Sequence, residues 1–175
     1  MNRVVQTTAE DYRIAWLTAL AITIHILESA LPSPLPGFKP GLANVIVIVV
    51  LVSYGWRAAA WVSLLRVLVG SLLAGTFLSP TFLLSLSGAL ASVLILALAS
   101  ALSRWLPRWG AGPLGYSVLA AMAHMAGQFA VAYAVFIPHA ALLNLLPILM
   151  CAALIFGMLS GMIAAAMISR ITTRS

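Results

Sequence analysis

An all-α integral membrane protein of about six transmembrane helices is what this sequence predicts, and three observations predict it. Hydrophobic residues fill 63% of the 175 positions and charged residues 7%, with a mean hydropathy of +1.13. Such a chain lacks the polar surface needed to cover a water-soluble globule. Its long apolar runs are broken by Pro, Gly and Arg clusters. They suit helices, which satisfy their own backbone hydrogen bonds inside lipid, whereas a membrane barrel would show short alternating segments. Finally, Arg3, Arg13, Arg57, Arg104, Arg108, Arg170 and Arg174 all fall on one side of a six-helix layout, Lys39 falls on the other, and Arg66 lies inside a span. The positive-inside rule then places both termini in the cytoplasm. The net charge of +6 therefore reads as topology, and no nucleic-acid partner is expected.

Taken in order, the elements are a cytoplasmic tail (1–13), a single transmembrane domain (14–168) and a second tail (169–175). The first span covers about 14–31. It is retained as a span rather than a cleaved signal, because its loss would leave five spans and spoil the charge asymmetry. Ala15 and Ala19 form a small-xxx-small step near its cytoplasmic end, where another helix backbone can approach closely.

A connector rich in proline follows on the outer side. Pro32, Pro34 and Pro36 stiffen it and Gly37 permits a sharp turn, which suits a rim or lid over a binding site. The second span, about 41–54, reaches roughly 21 Å against a bilayer core of about 30 Å. A short helix starting at a recessed level leaves room for a cavity above it.

The third span runs over about 58–74 and ends in an outer turn, 75–78. Ser79 as cap and Pro80 at the first helical position open the fourth span, about 80–102. An inner loop, 104–109, carries tryptophans at headgroup depth. The fifth span covers about 115–136, and 137–146 is either an outer loop or a short surface helix. The sixth, about 147–168, carries Gly157-xxx-Gly161 as a helix-packing face. Cys151 is the single cysteine, expected as a small core residue, with no disulfide and no metal-ligand spacing.

Chemistry in such a chain must come from polar side chains at membrane depth. Arg66 sits about nine residues, roughly 13 Å, from the inner end of its span, too deep to reach headgroups easily. A charge there costs at least about 2.5 to 3.5 kcal/mol on insertion scales. Two readings stay open: an ion pair with Glu28, or a ligand for an anion. Glu28 lies one turn below the connector, with His25 three residues earlier on the same face. Asn44 stands in the first turn of the second helix, whose positive dipole end, with Lys39 beside it, suits a carboxylate or phosphate. His124 and Gln128, four apart, share a face of the fifth helix. By helix rise Arg66 and His124 lie near mid-membrane and Glu28, Asn44 and Gln128 in the outer half, so with Lys39 at the start of the second helix they form the expected substrate site, open to the outside. His139 is expected only at the interface.

No GxxxxGK[ST] loop is present, no aspartate-rich cluster could hold magnesium against a diphosphate, and no Ser-His-acid set can be assembled. Catalysis by this chain alone is not expected, and neither a cofactor nor a metal is implied.

The run from Glu28 through Pro32–Pro36 and Gly37-Phe38-Lys39-Pro40-Gly41-Leu42-Ala43-Asn44, then Arg66, Gly75-Thr76-Phe77, Gly88 and His124-Met125-Ala126-Gly127-Gln128, resembles the Gx transporter family, also labelled heptaprenyl diphosphate synthase component I. The resemblance covers about 14–168, and the Lys-x-Gly-Leu-Ala-Asn piece is its most specific part. Met125 stands where the family usually has Asn, so a ligand role at that position does not carry over.

That family is similar in topology to the substrate-binding S components of energy-coupling factor transporters. The resemblance implies a subunit of the bacterial cytoplasmic (inner) membrane that captures a small anionic ligand from outside. A membrane coupling subunit, docking on Ala15 and Ala19, and separate ATPases would supply the energy. The synthase label implies instead an accessory subunit of polyprenyl diphosphate synthesis, with a soluble prenyltransferase as partner. A structural subunit of a membrane redox complex is a third reading, weakened because no haem-type histidine pair spans two helices.

Overall fold

The computed structural model describes residues 9–30, 43–105 and 111–172. The connector with Lys39, the ends of both tails (1–8 and 173–175) and most of the Trp-bearing inner loop lie outside the described residues, as does the side chain of Glu28. The described chain is all helical: α1 (Ala9–Ala30), α2 (Ala43–Tyr54), α3 (Trp56–Leu73), α4 (Pro80–Trp105), α5 (Pro113–Val131), α6 (Ala140–Leu143) and α7 (Leu146–Thr172). Each expected span finds its helix. Four helical stretches, Trp56–Leu73, Pro80–Trp105, Pro113–Phe136 and Ala140–Arg170, are long and apolar enough to cross a bilayer. The chain is therefore an all-α membrane protein.

Helix boundaries follow local chemistry. Gly55 takes φ 87°, a conformation that side chains resist, and this single residue separates α2 from α3. At the end of α3, Gly75 adopts φ 67°, while Thr76 N–H donates to Ser71 O at 2.9 Å and Gly75 N–H to Leu72 O at 3.2 Å. This pairing of last-turn carbonyls around a left-handed glycine closes the helix. Ser79 caps α4 as its sequence predicts, its Oγ accepting from Phe82 N–H at 3.3 Å. Pro113 opens α5 behind an extended Gly112. Beyond Val131 the helix widens into π-type turns, Ala132–Phe136, closed by Ile137 N–H to Ala132 O at 2.8 Å. The ambiguous 137–146 segment resolves into the short exposed α6. There His139 is the N-cap, its Nδ1 accepting from Ala141 N–H at 3.1 Å.

The arrangement is organised around α2. Every residue from Asn44 to Leu51 is buried, and α2 packs against α1, α3, α5 and α7. A helix apolar on all sides is stable only when surrounded. Its Val and Ile side chains gather Ala21, Ala59, Val62, Leu96, Ala120 and Ala164 from the other helices, with Ile14, Tyr54, Ala58, Tyr116 and Met167 packed alongside. Those residues come from the start of α1, α3 and α5 and the end of α2, α4 and α7, so the helices alternate in direction. The exposed Arg13, Arg57, Arg104 and Arg170 consequently share one end of the bundle, here termed the basic end.

Neighbouring helices meet through small residues. A Cβ added at Gly127 would lie 2.7 Å from Ala91 Cβ and 2.8 Å from Ser87 O; at Gly161 it would lie 2.8 Å from Leu114 Cα, and at Gly157 3.1 Å from Val118 Cα. Backbone thus touches backbone at α4–α5 and α5–α7, and the Gly157-xxx-Gly161 step packs on α5 as expected. Cys151 corrects an expectation. It is exposed on α7, not in the core, because a small apolar side chain gains nothing by leaving lipid for the protein interior.

Candidate functional site

The short α2–α3 hairpin brings two of the expected site residues level. Asn44 and Arg66 stand eleven positions from Gly55, one on each arm, which at 1.5 Å per residue puts both about 16 Å from the hinge. Asn44 is buried in the first turn of α2, and Arg66 is buried on α3 at 4% exposure. Arg66 shares its face of α3 with Gly70, one turn further from the basic end, and His25 of α1 lies on that glycine. A Cβ at Gly70 would fall 2.6 Å from His25 Cδ2.

A second glycine plays the same part on α4. A Cβ at Gly88 would meet His124 Cε1 at 2.7 Å and Gln128 Cγ at 2.8 Å. The four-residue spacing on α5 therefore does bring His124 and Gln128 to one place, and glycine is what admits both. Gln128 is buried, and His124 is half-buried. Val67 on α3 clusters with Phe82 and Ala89 on α4, which sets the register of that antiparallel pair and brings Gly88 close to the level of Arg66.

The polar groups thus form one layer across the bundle: Asn44 from α2, Arg66 from α3, and His124 and Gln128 from α5 against Gly88 of α4. His25 from α1 joins one turn further out. The layer separates the large aliphatic cluster at the basic end from the small Val67–Phe82–Ala89 cluster near the opposite end. Among the described buried residues Arg66 is the one with a permanent charge, and no group of three His, Cys, Asp or Glu stands ready to hold a metal there. Guanidinium, imidazoles and carboxamides at this depth are a donor set for an oxyanion. Of the other expected site residues, α1 carries Glu28 in its last turn, with its side chain outside the described set, and Lys39 lies outside it altogether.

Sequence reasoning placed His25 beside Glu28 but left it out of the site. It also missed a set of serines. Several hydroxyls on these helices bond a carbonyl of their own helix, as Ser71 does to Val67 O at 2.6 Å, Ser87 to Leu84 O at 2.8 Å and Ser100 to Ala97 O at 2.9 Å. The buried hydroxyls of Ser63, Ser92 and Ser117 have no hydrogen-bond partner. Only the helix-face pattern could have pointed to them: Ser63 is three residues from Arg66, and Ser92 four from Gly88.

The family comparison fits this geometry. The family model described as heptaprenyl diphosphate synthase component I matches residues 17–167, a stretch that contains every residue of the polar layer. Neither curated proteins nor solved structures gave a match. On the extent of the family match, the chain belongs to the heptaprenyl diphosphate synthase component I family.

Proposed function

We propose that this membrane protein is the substrate-binding subunit of an importer for a small anionic molecule, energised by a separate ATPase module. The observation that carries the reading is the burial of Arg66 within a layer of hydrogen-bonding side chains from several helices. A buried cation at this depth is costly, and ionisable residues inside membrane bundles commonly mark ligand or ion paths. The chain has no phosphate-binding loop of its own, so energy must come from other subunits. Ala15 and Ala19 are exposed on α1 near the basic end, a location that suits docking of a membrane coupling subunit. In this reading the chain sits in a bacterial inner membrane with its basic end, and so both termini, on the cytoplasmic side.

A second reading is favoured by the family description itself, which names a synthase component. Here the layer would bind an isoprenoid diphosphate and the chain would assist a soluble prenyltransferase rather than catalyse. Native mass spectrometry of the protein gently extracted from its own membrane separates the two. Co-release of an ATPase pair with a membrane subunit supports the importer; co-release of a prenyltransferase or a polyprenyl diphosphate overturns it in favour of the second reading. In either case Arg66→Ala is expected to abolish binding of the co-purified ligand while the protein still inserts and folds. Unchanged ligand occupancy in the folded variant would make Arg66 purely structural.

A further inference from the structure

Ser63 and Ser92 stand apart from the hydroxyls around them. Both are essentially inaccessible, at 0% and 1% exposure, and neither Oγ has a hydrogen-bond partner. A serine in an apolar helix ordinarily bonds the carbonyl three or four residues back, as Ser71, Ser87, Ser100 and Ser103 do here. A buried hydroxyl without a partner carries a desolvation cost that alanine, of nearly the same volume, would not; Ser117 carries it too, at the α5–α7 contact beside Gly161, so position decides what such a group can serve.

Their positions suggest what they serve. Val67 and Ala89 belong to one apolar cluster between α3 and α4. One turn toward the basic end, four residues back on α3 and three on along α4, stand Ser63 and Ser92. They therefore occupy one level, about 5 Å below the layer of Arg66 and Gly88. Ser63 shares the buried stripe of α3 with Arg66 and Gly70, and Ser92 that of α4 with Ser85 and Gly88. Below them the aliphatic cluster around α2 closes the interior.

We propose that Ser63 and Ser92 are the floor of the ligand site, their two O–H groups donating to oxygens of an oxyanion whose charge faces Arg66. This rests on the ligand-binding reading above and deepens it by naming the ligand class. The ligand carries a carboxylate or phosphate head with at least two acceptor oxygens, and the hydroxyls are completed by the ligand rather than by the protein. Carboxylate, phosphate and diphosphate heads share this chemistry.

The test compares wild type, S63A, S92A and the double variant, with S71A as control because that hydroxyl already bonds its own helix. Thermal melting of the purified protein in mild detergent is followed with no addition and with acetate, inorganic phosphate, inorganic pyrophosphate or geranyl diphosphate; the probe that stabilises wild type identifies the head group. Without a probe, S63A and S92A are expected to melt at or above the wild-type temperature, since each removes an unsatisfied group. With the probe, each is expected to weaken binding about tenfold, while S71A binds as wild type does. Equal affinity in wild type and the double variant overturns the floor assignment and leaves the anion site standing. A fall in melting temperature of the unliganded variants overturns it too, showing that the hydroxyls hold the fold. If no probe stabilises wild type, the oxyanion class is overturned along with them.

Discussion

Toward the basic end, α2 sends Ile48, Val49, Val50 and Leu51 in every direction into apolar neighbours. One or two turns further along, the same helices present Arg66, His124, Gln128 and the partnerless Ser63 and Ser92 to the interior. The basic half is a packed aliphatic core of the kind a soluble protein would have; the other half holds donors at a cost. Because the bilayer already removes apolar side chains from water, the aliphatic half gains chiefly through close contact, and the polar half has no such gain to offset its desolvation. The division teaches that stability and binding are carried by different levels of one bundle, so substitutions at the two levels should fail in different ways.

The largest effect is expected at Val47, wholly buried in the middle of α2. Val47→Asp places a carboxylate inside the large aliphatic cluster, costing at least about 2.5 to 3.5 kcal/mol on insertion alone. The expected outcome is loss of monodisperse protein on size exclusion after extraction. A folded Val47→Asp protein would mean that the centre of the bundle is wet, and the contrast between the halves would dissolve.

Glycines sharpen the comparison. At Gly161 an added Cβ lies 2.8 Å from Leu114 Cα, whereas at Gly88 it meets side-chain atoms only, His124 Cε1 at 2.7 Å and Gln128 Cγ at 2.8 Å. Backbone cannot rotate away, so Gly161→Ala should push α5 and α7 apart and cost about 1–3 kcal/mol of stability, read as a lower melting temperature. Side chains can rotate away, so Gly88→Ala should melt closer to wild type but displace both candidate donors and reduce ligand occupancy in native mass spectra. If the two variants lose stability equally, the layer at Gly88 is packing like any other.

Much of this architecture is legible in the residues themselves. Gly55, Ser79-Pro80 and Gly157-xxx-Gly161 signal a break, a start and a contact through backbone chemistry that lipid does not alter. His124 and Gln128 were paired from spacing alone, and the pairing holds. Which helix lies at the centre was not legible. In a soluble protein an all-apolar helix announces its burial, but every span of a membrane chain is apolar, so the Val-Ile run of α2 carried no such message. The exposed Cys151 misled for the same reason. Polar residues are the ones that discriminate inside from outside here, and the serines were overlooked because a helix usually satisfies its own serines. Their lack of partners emerges only when the helices are assembled.

The smallest effect concerns a side-chain hydrogen bond between helices in the basic half, from Tyr116 O–H on α5 to Ser103 Oγ on α4 at 2.9 Å. Tyr116→Phe removes the donor but keeps the ring packed beside α2. Ser103 loses an incoming bond but still donates to Ala99 O at 2.9 Å, so no buried group is left wholly unsatisfied. The cost should therefore stay near the lower end of the usual 0.5–1.5 kcal/mol for a neutral hydrogen bond, a small shift in melting temperature with ligand occupancy unchanged. A loss as large as that expected for Gly161→Ala would mean that the basic half is held by polar ties rather than by contact. Its separation from the binding layer would then be one of depth alone.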